Sequence, residues 1–146
     1  MSKQLPTLPI LPKARRGFGE LVNILAVLRG PKGCPWDKHQ TNKSLLPYLF
    51  EEAREVRSAL KKKDWDNFCE ELGDILLQVV FHAQVAQEAG RFDITDVIKS
   101  INDKLLRRHP HVFGGKALKT PQEVTRLWKQ IKKQEKASKK QLSITN

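Results

Sequence analysis

The chain has 146 residues, 39% of them hydrophobic and 29% charged, and a formal net charge of +11, which indicates one domain with a packed core and a basic surface. No apolar run approaches the ~20 residues that span a bilayer, prolines interrupt the short apolar N-terminal stretch, and the two cysteines have neither a metal-site nor a redox spacing. These features argue against a membrane-spanning or secreted protein and predict a cytoplasmic protein with free thiols and no membrane partner.

The first third of the chain predicts an arm, a helix and a loop. Residues 1–16 are Pro-rich at their start and predict an irregular N-terminal arm. Apolar residues then recur at helical spacing over residues 18–28, and a Gly-Pro pair ends the helix. Residues 30–43 form a predicted loop, in which Trp36 either stacks on a base or fills an apolar gap beneath the loop.

Two further helices are predicted over the middle of the chain. Ser44 is the predicted N-cap of the first. Its predicted core stripe consists of Leu46, Leu49, Ala53, Val56 and Leu60. The next helix spans about residues 66–89, with a predicted core face of Phe68, Leu72, Ile75, Leu76, Val79, Ala83 and Ala86. Further apolar residues widen that face beyond one stripe, which predicts an oligomer interface and at least a dimer.

The last third predicts two more helices and a tail. Asp93 can cap one helix, which ends in a basic segment, and Thr120 with Pro121 can open another. Residues 132–146 are Lys-rich and predict a disordered basic tail, which leaves 17–131 as the helical domain. No strand alternation persists, so the predicted fold is all-α: helical hairpins that form a four-helix-type bundle.

Acidic residues on the two middle helices predict a metal site. Glu51, Glu52 and Glu55 are followed by Glu71 and Asp74, and residues three or four apart share one helix surface. Two such groups on packed helices would converge, and clustered carboxylates need a cation. Oxygen ligands suit Mg²⁺ or Mn²⁺, which leave positions open for substrate phosphates.

Other interpretations compete with a metal site. Glu clusters on helices are often only solvated surface, but Gly73 between the second pair of acids costs about 1 kcal/mol relative to Ala and suggests close approach of a backbone or ligand. A di-iron bundle would require Glu-x-x-His pairs, and none of the four histidines has a Glu three residues before it. Arg107 and Arg108 either bind phosphate or stabilise a helix C-terminus.

The motifs resemble those of MazG-type nucleoside triphosphate pyrophosphohydrolases over about residues 18–114. The resemblance is carried, in order, by CPWDKHQT, EEARE, ELGD and KLLRRHPHVF. It implies an all-α fold, an obligate dimer of helical hairpins, and Mg²⁺-dependent cleavage of nucleoside triphosphates to monophosphate and pyrophosphate. Many such proteins carry a second related domain, whereas one domain is expected here.

The resemblance also implies roles for individual residues. The implied metal ligands are Glu52, Glu55, Glu71, Asp74 and, further along the chain, Asp103. Glu51 is implied to orient water or metal, and Glu51 or Glu55 would accept the proton of the attacking water. The implied substrate contacts are Trp36, Gln40 and Lys104, joined by Arg107 and Arg108, whose charges would offset those of the phosphates. Asn42 departs from the His of many relatives, so no nucleotide role is carried over to it.

The charge distribution supplies a rival function. Residues 104–140 contain 12 Lys and Arg against two Glu, a surplus of +10, whereas residues 51–74 contain eight acids against five bases. A metal-bridged triphosphate fits this pattern, and so does a nucleic-acid-binding helical protein without enzyme activity. The motifs favour the enzyme, acting as a homodimer or homotetramer.

Overall fold

The computed structural model describes residues 11–115 and 117–144, which form helices and no strand. The helices are α1 (Leu11–Arg29), α2 (Pro35–His39), α3 (Asn42–Lys62), α4 (Trp65–Glu88), α5 (Ile94–Arg108), α6 (Pro110–Phe113) and α7 (Pro121–Ile144). The predicted all-α class is confirmed. The chain divides into an N-terminal unit that ends at Val97 and a C-terminal unit that begins at Ile98, and each is described by itself.

Helices α3 and α4 form the main hairpin of the N-terminal unit, with α1 packed on α4 and α2 packed on α1. Lys63 adopts the left-handed conformation (φ 57°) directly after α3 and turns the chain back. The Asp64 side chain then accepts a hydrogen bond from the Asn67 amide and caps α4. This two-residue connection makes α3 and α4 antiparallel neighbours.

The start of α3 differs from the prediction. Thr41, rather than Ser44, is the N-cap: its hydroxyl accepts a hydrogen bond from the Ser44 amide, and the Ser44 hydroxyl accepts one from the Thr41 amide. This reciprocal pair moves the beginning of the helix three residues upstream. The predicted loop is also shorter, because Pro35–His39 forms the single-turn helix α2 within it.

The core of the N-terminal unit consists of Leu25, Leu45, Val80 and Phe81, each at most 3% exposed. The predicted core stripe of α3 is only partly buried, since Leu49 and Val56 are half-buried whereas Leu46 and Leu60 are 45% and 50% exposed. Periodicity correctly found an apolar stripe, but the fully buried residues of α3, Leu45 and Ala59, each lie one position before a predicted member of that stripe.

Helix α4 keeps an apolar surface that the described residues leave open. Val80, Phe81, Ala83 and Ala86 are buried, as a helix covered on one side requires. Of its predicted core face, Leu72, Leu76 and Val79 are exposed.

None of the described helices is long and apolar enough to cross a membrane.

The C-terminal unit joins the end of α5 to α7. Glu135 on α7 pairs with Arg107 (2.7 Å) and Arg108 (2.9 Å), and the Trp128 indole N–H donates to the Arg108 carbonyl. The Arg108 guanidinium, followed by that of Arg107, lowers the pKa of Glu135 to about 2. Thr120 caps α7 as predicted, with its hydroxyl accepting from the Glu123 amide.

The structure differs from the sequence prediction near both ends of the chain, over the residues that it describes. Helix α1 begins at Leu11, inside the segment predicted as an irregular arm, and residues 1–10 of that arm lie outside the described residues. Helix α7 continues to Ile144 through most of the segment predicted as a disordered tail, and residues 145 and 146 of that segment lie outside the described residues.

Candidate metal centre

Three carboxylates converge where α3 and α4 face each other. Glu52 and Glu55 lie one turn apart on α3, and Glu71 lies in the second turn of α4. One carboxylate oxygen from each of the three lies within 4.8 Å of the others. The antiparallel hairpin thus brings together acids from both predicted groups, as the i, i+3 and i, i+4 spacing required.

Burial and like charges act on this cluster. Burial raises the pKa of Glu52, and the charges of Asp74, Glu55 and Glu71 raise it further. Glu71 is 8% exposed, and burial is the largest cause that raises its pKa. The neighbouring Glu55 carboxyl raises the pKa of Glu71 further. The charged forms of Glu52 and Glu71 are therefore disfavoured in this cluster.

Asp74 and Glu51 border the cluster. Asp74 stands outside the set whose oxygens lie within 4.8 Å of one another. Its charge nevertheless raises the pKa of both Glu52 and Glu71, which places it in the same electrostatic field. Glu51 is exposed, and its charge is the last contributor to the raised pKa of Glu52. The predicted ligand role of Asp74 remains a prediction, as do the predicted roles of Glu51 in orienting water or metal and in accepting a proton.

The donor set fits a hard divalent cation. All three clustered donors are carboxylate oxygens, the ligands that Mg²⁺ and Mn²⁺ prefer. A bound cation would favour the ionised forms that burial and repulsion now disfavour. Gly73 supports access, because a Cβ added there would meet nothing within 4 Å beyond its own helix. Among the described residues no backbone outside its own helix closely approaches Gly73, and the predicted approach of a ligand remains a prediction.

The predicted nucleotide loop presents one aromatic ring and buries one amide. Trp36 is 51% exposed and makes an edge contact with Tyr48 of α3, with the ring centroids 5.8 Å apart. Gln40 is only 8% exposed: its amide nitrogen donates to the Trp36 carbonyl (3.1 Å), and its amide oxygen accepts from the Ser44 hydroxyl (2.7 Å). Gln40 thus holds the loop, and its predicted contact with substrate remains a prediction.

The other predicted site residues belong to the C-terminal unit. Asp103 is paired with Lys99 (2.6 Å) on the exposed side of α5. Lys104 is half-buried. Arg107 and Arg108 share Glu135, so part of their charge is already neutralised within the unit. Their predicted roles toward metal or phosphate remain predictions.

Asn42 and His82 form a polar pair inside the α3–α4 hairpin. The Asn42 amide nitrogen lies 3.0 Å from His82 Nδ1 and donates to the His82 carbonyl oxygen at 3.0 Å. An amide donor at Nδ1 places the histidine proton on Nε2, which is buried and has no hydrogen-bond partner among the described residues. Burial lowers the pKa of His82. Asn42 therefore connects the start of α3 to α4 and partners one of the two ring nitrogens of His82.

Sequence reasoning missed Arg29, which lies at the end of α1. Its side chain is 6% exposed and contacts both α2 and the distant Glu88. The only sequence signal was a basic residue in the last turn of a helix, which many surface arginines share.

Known proteins resemble this chain in sequence and fold. The MazG nucleotide pyrophosphohydrolase domain model matches residues 40–113. The chain is 54% identical over 127 residues to the nucleoside triphosphate pyrophosphohydrolase/pyrophosphatase MazG of Thermotoga maritima, covering 87% of this chain and 48% of that protein. It is 51% identical over 124 residues to the nucleoside triphosphate pyrophosphohydrolase of Escherichia coli K12, covering 84% and 47%. It thus spans about half the length of these curated relatives.

A solved structure shares the fold over nearly its whole length. The crystal structure of a mazG-related protein from Thermotoga maritima superposes with a TM-score of 0.68 at 32% sequence identity. The match covers 79% of this chain and 98% of that one.

Proposed function

The chain belongs to the MazG nucleotide pyrophosphohydrolase domain family, and we propose on that basis that it hydrolyses nucleoside triphosphates to monophosphate and pyrophosphate. The proposed cofactor is Mg²⁺, for which Mn²⁺ can substitute. We propose that the protein acts in the cytoplasm and that its role is nucleotide-pool housecleaning, the removal of aberrant nucleotides.

The carboxylate cluster of Glu52, Glu55 and Glu71 is the observation that carries this proposal. Three acids within 4.8 Å on two helices would repel a bare triphosphate, so they suit this substrate only together with a cation. Lewis-acid stabilisation of phosphate charge and a lowered pKa of bound water are the chemistry that such a cation supplies. Asp74 completes the proposed ligand set, because its charge already acts on two members of the cluster.

The chain's own residues have proposed roles in proton transfer and binding. Glu51 or Glu55, both exposed at the cluster, accepts the proton of the attacking water. Trp36 offers an exposed ring for the base, while Lys104 and the Arg107–Arg108 pair offset charge on the phosphates. Asp103 is proposed as a further acid near the metal.

A homodimer or homotetramer is proposed from the open apolar surface. Leu72, Leu76 and Val79 of α4 are 46%, 42% and 37% exposed, and Phe50 of α3 is 61% exposed. Burial of apolar surface contributes about 25 cal/mol per Å², so a second copy that covers these side chains would be stabilised. A self-complementary patch of this kind is typical of a two-fold interface.

The test is a turnover panel with Mg²⁺, Mn²⁺ or EDTA, over the eight ribo- and deoxyribonucleoside triphosphates and several damaged ones. We expect turnover with either cation and none with EDTA. Glu71→Gln should lower turnover, whereas Glu20→Gln on the exposed surface of α1 should not. A salt-dependent affinity for nucleic acid without any cation-dependent turnover would instead establish the rival function suggested by the basic C-terminal unit.

A further inference from the structure

Arg29 is a buried cation that ties together three helices. Its Nε and Nη2 atoms donate to the two carboxylate oxygens of Glu88, at 2.8 and 2.6 Å. Its side chain is only 6% exposed, and its guanidinium lies 5.6 Å from the centroid of the Phe81 ring. Arg29 is the last residue of α1 and Glu88 is the last residue of α4, so this bidentate pair of hydrogen bonds joins residues that are 59 positions apart in the chain.

The third guanidinium nitrogen of Arg29 is directed at α2. Its Nη1 atom donates to the carbonyl oxygen of Asp37 and, at 3.0 Å, to that of Gln40. The Asp37 carbonyl also accepts from the Gln40 backbone amide (3.2 Å), and Gln40 is the residue that follows α2. A five-residue helix cannot hold its own orientation by backbone bonds alone. Arg29 therefore holds α2 in place together with the Cys34 amide, which donates to the Leu28 carbonyl at 2.8 Å.

Helix α2 carries the ring of Trp36. The Gln40 side-chain amide donates to the Trp36 carbonyl. Arg29, which donates to the Gln40 carbonyl, is therefore connected through Gln40 to the residue that bears the indole. Trp36 in turn contacts Tyr48, which lies on α3 one helical turn before Glu52. The exposed indole thus lies against α3, the helix that also carries Glu52.

We propose that Arg29, held by Glu88, is a positioning residue that sets the Trp36 ring for the base of a nucleoside triphosphate. This inference rests on the proposed function. The Arg29–Glu88 pair lies outside the carboxylate cluster and acts only through the orientation of α2. Loss of Arg29 should weaken nucleotide binding and leave the chemical step nearly intact.

The first test compares KM and kcat in Arg29→Met, Arg29→Lys and Glu88→Gln. Base–aromatic stacking predicts that KM for the triphosphate rises about tenfold in Arg29→Met, with kcat changed less than about threefold. Arg29→Lys keeps the charge but not the fork, so its KM should fall between those of wild type and Arg29→Met. Glu88→Gln keeps one acceptor for the fork and should raise KM less than Arg29→Met does. Arg16→Met, an exposed arginine on the same helix, is the matched control and should leave KM unchanged.

A double-mutant cycle with Trp36→Ala separates positioning from general destabilisation. If Arg29 acts through Trp36, Arg29→Met should raise KM less than about twofold once Trp36 is gone. A tenfold rise in both backgrounds would overturn the inference. If Trp36→Ala itself leaves KM unchanged, the proposed role of Trp36 fails and this inference fails with it.

A second measurement does not depend on activity. Incorporation of 5-fluorotryptophan gives fluorine NMR signals for Trp36, Trp65 and Trp128, and Trp36→Phe assigns the signal of interest. Arg29→Met should shift or broaden the Trp36 signal while the other two keep their positions. An unchanged Trp36 signal would overturn the positioning role even if turnover fell. If the wild type showed no turnover but the Trp36 signal shifted in Arg29→Met, the proposed function would be wrong, whereas the coupling between Arg29 and Trp36 would stand.

Discussion

Replacement of Glu52 by Gln should stabilise the metal-free protein, because it removes a charge from a cluster that repels itself. Two unit charges 4.8 Å apart repel by about 1 kcal/mol in water and about 3.5 kcal/mol at the effective dielectric constant of a protein surface. Glu52 is partly exposed, so solvent screening brings the expected gain to about 1–2 kcal/mol. For a chain of this size the melting temperature should rise by about 2–8 °C.

The pH dependence of this gain has a defined sign. Burial and neighbouring acids raise the pKa of Glu52, so the folded state holds its proton more tightly than the unfolded state does. The destabilisation is therefore absent below the ordinary pKa of 4.5 and develops as pH rises through the folded-state pKa. The advantage of Glu52→Gln over wild type should be present at neutral pH and vanish below pH 4.5.

Differential scanning fluorimetry in EDTA and in Mg²⁺ measures both effects. Binding at 100 times Kd stabilises the wild type by about 2.7 kcal/mol, and Glu52→Gln should lose most of that increase. Glu20→Gln makes the same charge change on the exposed surface of α1 and should show neither effect. Equal melting temperatures for Glu52→Gln and wild type in EDTA at neutral pH, with equal increases in Mg²⁺, would refute the reasoning.

Three further outcomes are expected. Glu55→Gln or Asp74→Asn should lower kcat by about 10²-fold or more while the protein stays folded; near-wild-type turnover at saturating Mg²⁺ would show that the acid tested is not an essential ligand. Burial lowers the pKa of His82, so the wild type should lose stability as pH falls below 6.5. His82→Asn keeps an acceptor for Asn42 and should show a smaller loss of melting temperature between pH 7.5 and 5.5. Equal losses in the variant and the wild type would contradict this expectation. Light scattering at micromolar concentration should give at least twice the chain mass of 16.7 kDa, and an active monomer would rule out the shared interface.

Helical spacing predicted that acids from α3 and α4 would converge, and three of the five candidates, Glu52, Glu55 and Glu71, lie within 4.8 Å of one another. The i, i+3 rule placed Glu52 with Glu55, and two short helical stretches of opposite direction left Glu71 facing them. Spacing could not show that Asp74 stands slightly apart, because that depends on how far α4 is rotated against α3. Rotation is fixed by packing at residues such as Leu45, which the sequence does not rank above its neighbours.

The errors share a physical cause. The stripe that begins at Leu46 is apolar, but periodicity does not reveal what covers it, and the described part of this chain leaves Leu46, Ala53 and Leu60 exposed. Helix α7, which begins with a Thr120 cap and is tied to α5 through Glu135, continues as far as Ile144 into the Lys-rich segment predicted to be disordered. Arg29 and Glu88 are 59 residues apart, and no local pattern identifies such a pair.

The central claim is tested most directly by identifying the products of one complete reaction. Quantitative phosphorus NMR of a pyrophosphatase-free mixture with Mg²⁺ and a nucleoside triphosphate should show one pyrophosphate for each nucleoside monophosphate formed, no orthophosphate, and no reaction in EDTA. Nucleoside diphosphate and orthophosphate as the direct products, or equal rates with and without the cation, would contradict a carboxylate-held metal centre that releases pyrophosphate.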